Sequence, residues 1–257
     1  MEAIARFIVE KDIILLGIIA TIGTGLATGV GALPVLFTRN VSDRLLDGML
    51  GFAAGVMLAA TAFSLLLPAI ELGGVETAVL GLIIGALFLA VVDRVIPHTH
   101  FVSGDEGPPS SLRRVWLLII AITLHNFPEG LAVGVGFGSG DLAAATVLAI
   151  AIGLQNMPEG LAVALPLIRE GYSRRRALAY ATLSGMAEPI AGIIGVTTVQ
   201  VARPLLPFGL AFAAGAMLFV VSDEIIPETH RRGHQDVATW GVVLGFALMM
   251  FLDNVFG

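Results

Sequence analysis

The 257-residue chain contains no cysteine. Disulfides and thiolate metal sites are therefore excluded, and any metal must be bound by nitrogen, oxygen or thioether groups. Charge is scarce as well: 13% of residues are Asp, Glu, Lys or Arg, about half the roughly 25% usual in a soluble domain. No basic stretch is interleaved with aromatics, so no nucleic-acid partner is expected. There is no His-Glu-x-x-His pattern of the kind a metallohydrolase carries on a helix. The short alternating strands of a membrane β-barrel are missing too. Connections between apolar runs are brief, the longest being about 98–111 and 228–236, and none has room for a soluble domain.

What remains is hydrophobic: 56% of residues, with a mean hydropathy of +0.92. Such a chain is an integral membrane protein. The expected fold is an all-α bundle forming a single transmembrane domain over 1–257. Its eight spans lie at about 13–37, 47–70, 77–97, 112–137, 141–168, 174–201, 205–227 and 237–256. The first run is too long for a signal-peptide core and is read as a retained span. Most of the 31 glycines suit close helix packing in lipid, where small residues let backbones approach.

Cytoplasmic loops collect Lys and Arg. With both termini outside, Arg39, Arg44, Arg94, Arg113, Arg114, Arg169, Arg174, Arg175, Arg176, Arg231 and Arg232 all fall inside, against Arg6, Lys11 and Arg203 outside. Extracytoplasmic termini are therefore expected. The short loops favour a prokaryotic plasma membrane.

Repeats organise the runs. Phe52-Ala-Ala-Gly-Val-Met-Leu58 in span two matches Phe212-Ala-Ala-Gly-Ala-Met-Leu218 in span seven. Those spans run in opposite directions, as inverted-topology repeats do. Val92-Asp-Arg-Val-Ile-Pro-His-Thr-His100 is echoed by Asp223, Ile226, Pro227, Thr229 and His230. Inverted pseudosymmetry, spans 1–3 against 6–8 around a central pair 4 and 5, is the expected architecture.

That central pair carries the chemistry. His125-Asn-Phe-Pro-Glu-Gly-Leu-Ala-Val133 and Gln155-Asn-Met-Pro-Glu-Gly-Leu-Ala-Val163 are near copies. Ionisable groups at membrane depth are costly and mark ion or substrate paths. At 100° per residue, with His125 at the origin, Glu129 falls at about 40° and Asn126 at about 100°. The carboxylate thus lies between imidazole and amide, and Gln155, Glu159 and Asn156 repeat the arrangement. Facing antiparallel copies invite two metal ions bridged by carboxylates. Pro128 and Pro158 free the carbonyls of Leu124 and Leu154, which predicts distorted helices beside these ligands.

Span six adds Glu188, with Ser184 one turn earlier. Span two offers Met57 and, on nearly the same face, Ser64; Met57 by itself reads as apolar filler. Three acids in the membrane without a neighbouring lysine or arginine call for a divalent counter-charge. Imidazole, carboxylate and amide without thiolate suit Zn²⁺ first, then Fe²⁺, Mn²⁺ or Cd²⁺. No catalytic cofactor is expected. The cytoplasmic ends gather Asp93, His98, His100, Asp223, Glu224, Glu228, His230 and His234, which form a release path, a regulatory metal site or simply polar loops. Asp253 is a candidate entrance ligand.

At these residues the chain resembles the ZIP (Zrt/Irt-like) family of divalent-metal transporters, in its bacterial GufA-like branch. The resemblance rests on the two central motifs, Ser184-Gly-Met-Ala-Glu-Pro189, Met49-Leu-Gly-Phe-Ala-Ala-Gly-Val-Met-Leu-Ala-Ala60 and Phe219-Val-Val-Ser-Asp-Glu-Ile-Ile-Pro-Glu-Thr-His230. It implies a binuclear site, with Met57, His125, Glu129, Gln155 and Glu159 around one ion. Asn126, Asn156, Glu188 and the shared glutamates would surround the other. It also implies movement of metal toward the cytoplasm by alternating access, with spans one, four, five and six moving against the rest. The chain departs from relatives at Gln155, where many have histidine, at Asn156, where some have aspartate, and at Asp223, where histidine is used. A membrane-embedded metal-dependent hydrolase and a metal-selective channel are the rival readings. Lipid and divalent ions are the expected partners, and the sequence leaves a homodimer open.

Overall fold

The computed structural model describes residues 2–38, 41–100, 104–108, 110, 114–230 and 232–257. Arg39, Arg113 and Arg231, counted toward orientation above, lie outside the described residues. The elements are helices α1 (Glu2–Ala32), α2 (Asp43–Ala59), α3 (Leu67–Val95), α4 (Arg114–Ser139), α5 (Leu142–Arg169), α6 (Arg174–Gly185), α7 (Ala187–Val201), α8 (Leu206–Val220), α9 (Ile226–His230) and α10 (Gln235–Phe256). A two-stranded antiparallel ribbon, β1 (His98–His100) with β2 (Gly104–Glu106), occupies part of the stretch expected to be a plain loop.

Among the described residues, seven helical segments are long and apolar enough to cross a membrane. Large side chains including Leu15, Ile19, Leu80, Ile83, Leu87, Leu244 and Phe251 are exposed. A continuous apolar exterior of this kind belongs in lipid rather than in water.

Polar residues at helix starts fix several entries. Ser42 accepts from the Leu45 amide at 3.3 Å and Asp141 from the Ala144 amide at 3.1 Å. Each satisfies an amide that has no partner inside its helix. Helix interiors depart from regularity where function later collects. The matched segments of α2 and α8 each run into a π-helical stretch, Ala60–Leu66 and Val221–Ile225. Gly74, at φ 79° and ψ 163°, interrupts what is otherwise one 53-residue apolar run, Asp43–Val95. Only glycine adopts that backbone freely.

The twin prolines behave differently from expectation. α4 and α5 continue through Pro128 and Pro158 without a break. The interruption falls in span six, where Met186 turns the chain between α6 and α7. Pro189 lies in the first turn of α7, where its missing N–H leaves no intrahelical bond unmade.

Two apolar clusters form the core. One joins the first half of α5 and the second half of α4 to α2, α3 and α8. The other joins the second half of α5 to α6 and the start of α2. Between them lies a polar layer containing His125, Asn126, Glu129, Gln155, Asn156, Glu159, Ser184 and Glu188, all buried. The packing partners are α2 with α10, α3 with α8, α4 with α7, and α1 with α5 and α6.

Candidate functional site

The glycine that follows each glutamate explains how the polar layer is held so tightly. A methyl group at Gly130 would overlap the backbone of Glu188, and one at Gly160 would overlap the Thr28 carbonyl. In lipid, helices associate through such close van der Waals contact. The Pro-Glu-Gly motif therefore places a carboxylate and a close helix crossing one residue apart. α4 seats against α7, and α5 against α1.

Within the layer, the Gln155 amide donates to Glu129 Oε1 at 2.7 Å, so the two motifs meet across the α4–α5 interface. Glu188 stands in the first turn of α7, where the helix N-terminus favours negative charge. Asn156 Nδ2 donates to Glu188 Oε1 at 2.6 Å and to the Thr24 carbonyl at 2.9 Å. Acceptors exceed donors here. Glu129 Oε2, both oxygens of Glu159, Glu188 Oε2 and Gln155 Oε1 are buried without a hydrogen-bond partner among the described residues, as are both polar atoms of Asn126. Burying an unpaired carboxylate costs several kcal/mol, on the order of 5. A cation, or a proton, removes that penalty.

His125 does not join these acceptors. Its Nε2 is paired with Glu224 Oε2 from the π-helical stretch after α8. Both groups are buried. Glu224, read from the sequence as a group at the cytoplasmic end, is thereby brought to the central motif. Asp223 beside it is exposed and does not share that position. Among the described residues, no three histidine or carboxylate side chains converge closely enough to hold one ion in this conformation.

A cavity of about 270 Å³ adjoins the layer. It is lined by His125 and Glu159 at its inner end, and by Glu224, Glu228, Arg232, Arg169 and Glu170 toward the connections after α5 and α9. Thr99 of the β-ribbon contributes to its wall.

The other anticipated residues are dispersed. Met57 is buried within the apolar cluster of α2. Ser184 is buried, its hydroxyl donating to the Ala181 carbonyl in its own helix at 2.8 Å. Ser64 donates to Asp253 at 2.5 Å, joining two path candidates from opposite ends of the sequence. Asp93 and His98 are both buried, 3.8 Å apart, with His98 Nδ1 2.7 Å from the Ile96 carbonyl. His230 Nδ1 lies 2.9 Å from the Ile226 carbonyl. The side chain of His100 lies outside the described residues. Two participants were not singled out from the sequence. Thr24 supplies a backbone acceptor, which no side-chain pattern announces. Asp47 is fully buried, 3.2 Å from Arg232 and 2.8 Å from His234; a lone aspartate amid apolar residues near a span end was its only signal.

A family model described as ZIP Zinc transporter matches residues 102–253. Over 90% of its length the chain is 47% identical to zinc transporter ZIPB of Bordetella bronchiseptica, covering 78% of that protein. Over 94% it is 43% identical to zinc transporter GufA of Myxococcus xanthus, covering 99%. Human zinc transporter ZIP11 is 39% identical over 88% of this chain, with 93% of its own length covered. A family model matching more than half of the chain and identities of this size place the protein plainly: it belongs to the ZIP family of zinc transporters.

Proposed function

We propose that this protein carries Zn²⁺ across the membrane toward the cytoplasm, through a station between α4 and α5. The observation that carries the reading is the buried pair Glu129 and Glu159, three of whose four oxygens lack a hydrogen-bond donor among the described residues. Around them stand His125 and Gln155, with Met57 on the apolar side as a thioether that a moving ion could meet. Such nitrogen, oxygen and thioether donors suit zinc. Cd²⁺, Fe²⁺ and Mn²⁺ are the plausible competitors.

The cavity supports a carrier rather than a channel. Among the described residues it runs from His125 and Glu159 toward the connections after α5 and α9, while the apolar cluster packs the other halves of α4 and α5. Its mouth carries Arg169 and Arg232, residues of the arginine-rich side, which supports a reading in which this conformation opens to the cytoplasm and the termini lie outside. His125 paired with Glu224 at the cavity's inner end fits an ion leaving by way of Glu224 and Glu228.

The bundle is read as eight spans, Gly74 dividing the longest run in two. Several packing details support an inverted repeat. Gly245 of α10 meets the backbone of Phe52 in α2; Gly85 of α3 meets that of Phe212 in α8. The offset between those glycines equals the offset between those phenylalanines. Gly241 and Gly81 repeat the relation one turn earlier. Each matched helix then enters its π-helical stretch. In this reading α2, α3, α8 and α10 form a frame against which α1 and α4–α7 move.

Zinc uptake into proteoliposomes tests the assignment. Glu129→Ala and Glu159→Ala proteins that remain folded should lose at least about 99% of uptake, the loss expected when a charged ligand worth about 3 kcal/mol is removed. Wild-type rates in both variants would overturn it.

A further inference from the structure

A second hollow lies away from the polar layer, on the face that the bundle turns to lipid. It is a groove of about 690 Å³ between the first halves of α2 and α10 and the middle of α5, within the roughly 300–1,000 Å³ usual for a ligand site. Arg44, Gly48 and Phe52 line it at every fourth residue of α2, and Asp236, Trp240 and Leu244 do the same on α10. Residues four apart share one face of a helix, so each helix contributes a stripe. The two helices start at the same end and run side by side: Gly51 meets the backbone of Ala238, and Gly55, four residues on, meets that of Val242. Eight residues carry each stripe about 12 Å along the bundle, close to the depth of one leaflet's hydrocarbon, about 15 Å. Leu154, Met157 and Pro158 of α5 form the third wall.

Charge separates this groove from ordinary lipid-facing surface. Arg44 and Asp236 stand in the first turns of α2 and α10, one cation and one anion at the same end of the groove. Both are exposed, and neither makes an ion pair among the described residues. The neighbouring Asp43 is taken by Arg169 at 3.1 Å, which leaves Arg44 without a carboxylate. Trp240 is exposed one turn beyond Asp236, and tryptophan favours the headgroup level of a bilayer. Leu45 and Leu244 are exposed too.

We propose that this groove is a binding site for one phosphatidylethanolamine. Its phosphate lies against Arg44, whose planar guanidinium matches phosphate oxygens. Its ammonium donates to Asp236, and one acyl chain lies along the two stripes toward Leu154 and Met157. A head with one charge of each sign complements the pair. A purely anionic head would be repelled by Asp236, and the methylated nitrogen of a choline head has no N–H to donate. A second copy docked here across a two-fold axis would present the same groove to itself, concave against concave. The site goes beyond the transport reading and stands without it. Where that reading holds, α2 and α10 belong to the frame and α5 to the moving group, so the lipid spans the boundary between them.

Native mass spectrometry of detergent-purified protein tests the assignment, with palmitoyl-oleoyl phosphatidylethanolamine, phosphatidylcholine and phosphatidylglycerol added in turn. Wild type should bind one phosphatidylethanolamine per chain about threefold more tightly than either other lipid, the gain of an exposed ion pair. Arg44→Gln should weaken phosphatidylethanolamine by a similar factor, and Asp236→Asn should bring it down to the level of phosphatidylcholine. Leu154→Trp, which fills the groove from an exposed position, should weaken all three lipids. Equal affinities on wild type would overturn the site, as would tighter binding of phosphatidylglycerol that Asp236→Asn leaves unchanged. A dimer that Leu154→Trp dissociates would also overturn it, because a second copy would then cover this face. The order of the three lipids on wild type decides the matter alone should a variant fail to fold.

Discussion

Glu224 holds His125 from a position ninety-nine residues later in the chain, imidazole nitrogen to carboxylate oxygen, inside the membrane and at the inner end of the cavity. The imidazole nitrogen turned toward Glu224 is one that would otherwise coordinate the ion. Ion and carboxylate therefore compete for His125, and a carboxylate at the cavity wall can also take the ion as it leaves. In Glu224→Gln protein the amide still hydrogen-bonds the ring but attracts the cation less. Maximal uptake should fall about tenfold, the loss of about 1.4 kcal/mol from the release step, with half-saturation unchanged or lower. Initial rates in proteoliposomes across a zinc series separate the two parameters. An unchanged maximal rate would place release elsewhere.

The Pro-Glu-Gly motifs make a structural claim that can be checked without transport. A methyl group at Gly130 overlaps the Glu188 backbone, whereas one at Gly153 meets nothing nearer than the Ala27 side chain at 3.8 Å. Gly130→Ala should lower stability by about 1–3 kcal/mol, the cost of overpacking, and reduce the yield of monodisperse protein. Gly153→Ala should match wild type. Thermal unfolding in detergent gives both numbers.

How much of this was legible in the sequence depends on where each partner came from. The central motifs were visible because helical spacing alone puts Glu129 between His125 and Asn126, and the Gln155–Glu129 bond follows from two such faces meeting. Glu224 was placed among the groups of a release path, and its pairing with His125 was not legible for a definite reason. It lies in a π-helical stretch, which breaks the 100° register that a wheel assumes, so Ser222, Asp223 and Glu224 could not be ranked by angle. The expected break at the twin prolines also moved. α4 and α5 run through their prolines without interruption, and the interruption appears at Met186, two residues before Glu188. Thr24 acts through its backbone, and Asp47 through partners on the far side of a loop. Neither relation leaves a trace in residue spacing.

Asp47 gives a prediction of its own. Its carboxylate is fully buried, yet Arg232 and His234 bond it from partly exposed positions. Arg232 also bonds Glu228 at 2.8 Å, so the cluster anchors the connection before α10 onto α2. Removing one member of a buried pair strands the others, at about 3–5 kcal/mol when all are buried and less when the cations reach water. Asp47→Asn should destabilise the protein by about 1–3 kcal/mol, measured as a lower midpoint of thermal unfolding. Stability equal to wild type would show that the cluster anchors nothing.

Gln155 sets how tightly the station binds. Its amide donates to Glu129 and leaves only the neutral Oε1, buried and unpartnered among the described residues, to face an ion. An imidazole is a stronger zinc ligand than an amide oxygen, so Gln155→His should tighten the station while removing the donor that restrains Glu129. A carrier must release what it binds, and added affinity at the station deepens the well from which the ion leaves. Half-saturation for zinc uptake should fall about tenfold and maximal rate should fall with it, since about 1.4 kcal/mol of extra ground-state binding appears as extra barrier to release. Manganese, which gains less from imidazole in the usual divalent order, should show a smaller change in both parameters. Parallel zinc and manganese uptake series on wild type and Gln155→His check this directly; an equal shift for the two metals would show that residue 155 does not contact the ion.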